Sequence, residues 1–105
     1  MVEYTYILKG KTPVPSKGIL YWCKWMASAD RYVNRTNMAP HIEVSTVFVG
    51  IDSSFGERKP PLLFETMIFG GAHDGFKKTY ATWKQAEVGH ELTVKMLLPT
   101  IFSTS

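Results

Sequence analysis

Residues 42–49 read IEVSTVFV and residues 62–69 read LLFETMIF. Both runs are short, rich in β-branched and aromatic side chains, and bounded by proline or glycine, which is the pattern of strands. In the first, Ile42, Val44, Thr46 and Phe48 share one face, and Glu43, Ser45, Val47 and Val49 share the other. In the second, Leu62, Phe64, Thr66 and Ile68 oppose Leu63, Glu65, Met67 and Phe69. The segment between them holds Gly50, Asp52, Ser53, Ser54, Gly56, Pro60 and Pro61, so an antiparallel pair with a long connection is expected.

Outward from this pair the elements are simpler. Tyr4 to Leu8 reads as a short strand. Residues 9–17 hold Gly10, Pro13 and Pro15 and read as a loop. Ser16 is placed to cap a helix from about Lys17 to Arg31, with Ile19, Trp22, Trp25, Met26 and Ala29 as its apolar stripe. Residues 34–40 read as a polar connection. Beyond Gly70 and Gly71 a turn leads to a short strand at 78–81. Thr82 with Gln85 then forms a capping box for a second helix, which runs to about Leu98 and stops at Pro99.

The fold class this predicts is α+β. The element order is β-α-β-β-β-α, in a small antiparallel sheet with two helices packed on one face. Residues 1–98 form a single domain and residues 99–105 a flexible tail. One sheet face is left without a helix. It carries Val47, Val49, Leu63, Met67 and Phe69, or the alternate set, and a second copy of the chain would bury it.

The chain has 105 residues, with 45% hydrophobic and 20% charged, ordinary values for one globular domain. Fourteen aromatic residues (three Trp, five Tyr, six Phe) exceed what one small core consumes. The net charge of +3 is dispersed rather than gathered in a stripe, which is too mild to mark DNA binding; it suits a small anionic ligand and equally an ordinary soluble surface, and charge alone favours the latter. The single cysteine, Cys23, excludes an intrachain disulfide and reads as a buried, inert thiol. No metal-binding spacing and no cofactor motif is present. Neither a signal peptide nor a membrane-spanning run is evident, so a cytosolic setting is expected.

Glu65 stands out as an acid inside the most apolar strand. It needs solvent or a donor, and Arg31, Arg35, Ser45 and Thr46 are the candidates. Two readings are open for it: a ligand contact and a structural ion pair. Ser45 and Thr46 point to opposite faces, and either hydroxyl can bond a ligand or a neighbouring strand. Trp25, Tyr32, Tyr80 and Trp83 are candidate stacking platforms for a base, while Arg31, Arg35 and Lys59 are candidate phosphate partners. The aromatic residues serve equally well as core. A third reading is a small hydrolase acting on nucleotides with His90 and Glu65 as acid and base, while a Ser53-His90-Asp52 triad or a metal held by Glu87 and His90 has no supporting motif.

The motifs EVSTVFVGID at 43–52, LLFETMIFGG at 62–71, and YATW at 80–83 followed by Glu87, Gly89 and His90 resemble a widespread family of small tailed-phage and prophage proteins. Asp30 and Arg31 also fit its pattern, and the resemblance spans roughly Trp22 to Val94. It departs at Ser53, where many members carry histidine. The chain is similar as well to viral sponge proteins, which oligomerise and sequester nucleotide signals of antiphage systems such as CBASS or Thoeris. The resemblance implies a phage-encoded, non-enzymatic protein of the host cytoplasm. It would bind a cyclic dinucleotide or related small anionic ligand at a homo-oligomer interface, with no cofactor and no membrane. The alternative is a phage accessory or virion protein, or an inhibitor of a host protein, acting through protein-protein contacts.

Overall fold

The computed structural model describes residues 4–38 and 40–101. In chain order the elements are β1 (Tyr6–Lys9), β2 (Thr12–Pro15), α1 (Ile19–Ser28), β3 (Tyr32–Met38), β4 (Ile42–Phe48), β5 (Phe64–Phe69), β6 (Lys77–Tyr80) and α2 (Trp83–Ile101). The expected α+β class and succession are present, with β2 and β3 added. Strands β3-β4-β5-β6 form an antiparallel sheet in sequence order, and β1-β2 form a separate hairpin. The hairpin joins the chain beyond β4 through the Thr5–Ile51 bridge and a hydrogen bond from the Tyr6 amide to the Gly50 carbonyl.

The predicted strand pair is the centre of the sheet. Thr46 lies opposite Thr66, Phe48 opposite Phe64 and Val44 opposite Ile68. These six side chains are fully buried beneath the helices. Burying each large apolar one removes about 1.5–3 kcal/mol of exposure cost. Edge-to-face ring pairs lock both helices to this side. Trp25 of α1 meets Phe48 at 5.8 Å between centroids, and Trp83 of α2 meets Phe64 at 6.1 Å. Each such pair adds about 0.5–1.5 kcal/mol beyond its buried area.

The capping box at α2 forms. The Gln85 amide donates to Thr82 Oγ1, and Gln85 Oε1 accepts from the Ala81 amide, both at 3.1 Å. The cap expected at Ser16 does not. Its hydroxyl is bonded to Thr5 Oγ1 at 2.6 Å inside the hairpin, and Gly18, at φ 105, leads the chain into α1 without a side-chain cap. Helix α2 continues through Pro99 to Ile101 rather than stopping before the proline. Leu97, 1% exposed against Val44 and Ile68, anchors that turn to the core. Residues 102–105 of the expected tail lie outside the described residues. Cys23 is exposed, not buried, because Trp22 and Trp25 take the inward side of α1.

Residues 34–38, expected to lie in a connection, are strand instead, and residue 39 lies outside the described residues. Asn34 to Met38 belong to edge strand β3, paired to β4 with a bulge between Tyr32 and Asn34. The extra residue, Val33, packs against the core while Tyr32 stays on the opposite face. The long loop before β5 is braced by Asp52. Its Oδ1 accepts from the Ser54 amide and hydroxyl, and its Oδ2 from the Gly56 amide.

Candidate functional site

Among the described residues, none covers the sheet face turned away from the helices. Strand alternation puts Glu43, Ser45 and Val47 of β4 there, with Glu65, Met67 and Phe69 of β5. Register extends the set to both edges. Arg35 lies opposite Ser45, Ser45 opposite Met67, and Met67 opposite Lys77, so one row crosses all four strands. That row has a cation at each end and a hydroxyl and a thioether between them. A neighbouring row runs Tyr32, Val47, Glu65, Thr79.

Tyr32, Ser45, Val47, Glu65 and Met67 of these rows, with Glu43 and Phe69, line an open groove of about 370 Å³, and Arg35 and Lys77 at the ends of the first row lie beyond its lining. Tyr32 and Phe69 are 46% and 47% exposed, a large apolar display for the middle of a small domain. A second groove of about 440 Å³ adjoins it and shares Glu43 and Phe69.

Each acid on the face has a base. Glu43 receives Arg35 through two contacts, Nη2 to Oε1 and Nε to Oε2, both 3.2 Å. The same guanidinium sits 5.3 Å above the Tyr32 ring, a cation-π arrangement. Glu65 meets Lys77 Nζ at 3.3 Å, a diagonal cross-strand pair. None of the four donors expected for Glu65 holds it in an ion pair or side-chain hydrogen bond, whereas Lys77 does. Solvent screens such exposed pairs and leaves them weak, so either carboxylate can exchange its partner for a ligand at little cost.

The predicted site residues divide between the two faces. Tyr32, Arg35, Ser45 and Glu65 come together on the open face. Thr46 points the other way, bonded to Thr66 Oγ1 at 2.5 Å and to His90 Nδ1 at 2.7 Å. Trp25, Tyr80 and Trp83 pack in the core. Arg31 sits at the end of β4, where its Nη1 donates to the Phe48 carbonyl at 3.1 Å and the Phe48 amide donates to the Arg31 carbonyl at 2.8 Å. Glu65 and His90 lie on opposite sides of the sheet, so they do not form an acid-base pair.

His90 belongs to a buried polar chain. Its Nε2 bonds Thr36 Oγ1 at 2.8 Å, so the ring ties α2 to β3 and, through Thr46, to β4. Burial holds its pKa below the ordinary 6.5, opposed by the charge of Glu91. The sequence reading missed Lys77 and Glu43 at the open face. Only the register of β5 with β6 brings Lys77 to Glu65, and no local pattern in the sequence announces it. Among family models, curated proteins and solved structures, none matches this chain.

Proposed function

We propose that the protein binds and sequesters a nucleotide second messenger, a cyclic dinucleotide or related signal, without cleaving it. The open sheet face is the binding surface and a second copy closes over the ligand. The observation that carries this reading is the row Arg35–Ser45–Met67–Lys77. Two such faces stacked about a two-fold axis along the strands set Arg35 over the partner copy's Lys77 position. A two-fold along the row sets each cation over its own counterpart. Either way cation lies over cation, each already paired with a carboxylate of its own face, Arg35 with Glu43 and Lys77 with Glu65, so the empty pair gains no attraction from charge. An anion between the faces would draw both cations to itself.

The remaining chemistry fits a nucleotide. Tyr32 and Phe69 offer flat apolar surface for a base, and the Ser45 hydroxyl and the Glu43 and Glu65 carboxylates can accept from amino groups and ribose hydroxyls. A groove of about 370 Å³ lies within the ligand-pocket range, but it is open on one side. Ligand sites cover most of their occupant's surface, so a lid is required, and a second face supplies it. The phage resemblance of the sequence motifs suggests a setting, namely the cytoplasm of an infected host, where excess binding protein lowers the free signal by mass action.

The test is direct. The protein is incubated with a panel of cyclic dinucleotides, freed of unbound ligand and heat-denatured, and the released nucleotide is chromatographed. Intact nucleotide appearing only after heating is expected. Arg35→Ala and Lys77→Ala should each lower retention about tenfold, the cost of one charge-assisted contact. Chemically altered nucleotide would make the protein an enzyme. No uptake of any nucleotide would sink the proposal and favour the protein-partner alternative.

A further inference from the structure

Helix α2 is apolar on two sides. Its inner side carries Ala86, His90 and Leu97 into the core. Its outer side carries Val88, Leu92 and Met96, spaced four residues apart and 48%, 57% and 43% exposed. A surface helix normally opposes its buried stripe with polar residues. The outer stripe therefore has the composition of a contact surface.

Its relief is specific. Val88 and Leu92 line two shallow grooves, one of about 290 Å³ shared with Glu87 and Glu91, the other of about 340 Å³ shared with Tyr80 and Gly89. The residues common to both form a ridge along the four-residue row, with a groove on either side. Two helices mesh through such ridges and grooves, and a surface that holds both can mesh with itself. The charges have the same property. Glu91 and Lys95 lie one turn apart on one flank of the ridge. A two-fold axis across the helix lays that flank antiparallel against itself, which brings Glu91 of each copy to Lys95 of the other.

We propose that a second copy of this chain docks on the outer face of α2, as an antiparallel helix pair centred on the turn from Leu92 to Lys95. Leu92 of each copy packs against Leu92 and Met96 of the other, flanked by two reciprocal Glu91–Lys95 pairs. This contact needs no ligand and does not rest on the nucleotide reading, since it lies across the sheet from the open face.

Sedimentation velocity over a concentration series tests it, with circular dichroism to confirm that each variant is folded. The wild-type chain is expected to show a reversible monomer-dimer equilibrium in ligand-free buffer. Leu92→Asp, a change at an exposed position, should leave monomer at every concentration. Glu91→Lys or Lys95→Glu alone should raise the dimer Kd about tenfold, by setting like charges against each other twice. The double reversal, Glu91→Lys with Lys95→Glu, should restore the wild-type Kd. A wild-type monomer at all concentrations overturns the proposal. So does a dimer that survives Leu92→Asp, or a double reversal no tighter than the single ones.

Discussion

At the residue scale the chain spends its polar side chains in two ways. Arg35, Glu43, Glu65 and Lys77 make partly exposed pairs that are cheap to break. Thr36, Thr46, Thr66 and His90 make a buried chain that is not. Thr46→Val removes hydroxyl partners from both His90 and Thr66 and leaves buried polar atoms unpaired, a cost of about 1–3 kcal/mol. The same chain sets a pH dependence. Because burial lowers the folded pKa of His90 below 6.5, the unfolded state takes up the proton first. Its contribution is complete above about pH 6.5 and is lost as pH falls from there through the folded pKa. Asp52 acts in a lower window. Its pKa is held below the ordinary 3.8, first by the Ser54 hydroxyl, so its contribution is present above that value and lost as pH falls through the folded pKa. Thermal melts should therefore decline in the wild type as pH falls from about 6.5 through the folded pKa of His90. His90→Gln should melt lower at neutral pH and be flat across that interval. An equal slope in the variant would remove His90 as the cause.

At the element scale, legibility followed pattern strength. Strands β4 and β5 alternate cleanly, and which residues share a face was readable from spacing alone. Strand β3 was not, because YVNRTNM turns Asn34 and Thr36 toward the core side, where Thr36 meets His90. A polar residue that is satisfied by a distant helix looks, in sequence, like a loop residue. Strand β2, TPVP, was hidden by two prolines that an edge hairpin tolerates. The site divided the same way. Glu65 was conspicuous among apolar neighbours, but alternation cannot say which face the helices cover, so Thr46 and the core aromatics stood beside Tyr32 and Arg35 as equals. Gly89 shows a constraint invisible in sequence. A Cβ there would collide with the Tyr80 ring and hydroxyl. Ala favours a helix by about 1 kcal/mol over Gly, yet Gly89→Ala is expected to lower stability by roughly 1–3 kcal/mol, as overpacking does. Denaturant unfolding decides it, and a stabilised variant would mean that Tyr80 has room to move.

At the scale of the whole molecule, the two unpartnered surfaces lie on opposite sides of one sheet. The chain is elongated, 56 × 28 × 21 Å, with a radius of gyration of 15.4 Å against about 13 Å for a compact domain of this length. That shape leaves both the open sheet face and the ridge of α2 accessible. They differ in what they ask of a partner. The ridge is self-complementary in shape and charge, so the proposed helix pair needs no ligand. In the proposed sequestering assembly the open faces stack cation over cation, and an anion between the copies would bridge them. A dimer joined through α2 then presents two open faces outward, and ligand should link such dimers through those faces. Each linked pair of dimers keeps a free open face at either end, so the expected outcome is a mass that rises from dimer to tetramer and higher multiples when the retained cyclic dinucleotide is added, measured by light scattering at fixed protein concentration. Lys77→Ala should abolish the increase while leaving the dimer intact, and Leu92→Asp should reduce the ligand-bound species to a dimer. Binding with no change in mass would mean that one face covers its ligand alone, and the role given to the opposed cations would be lost.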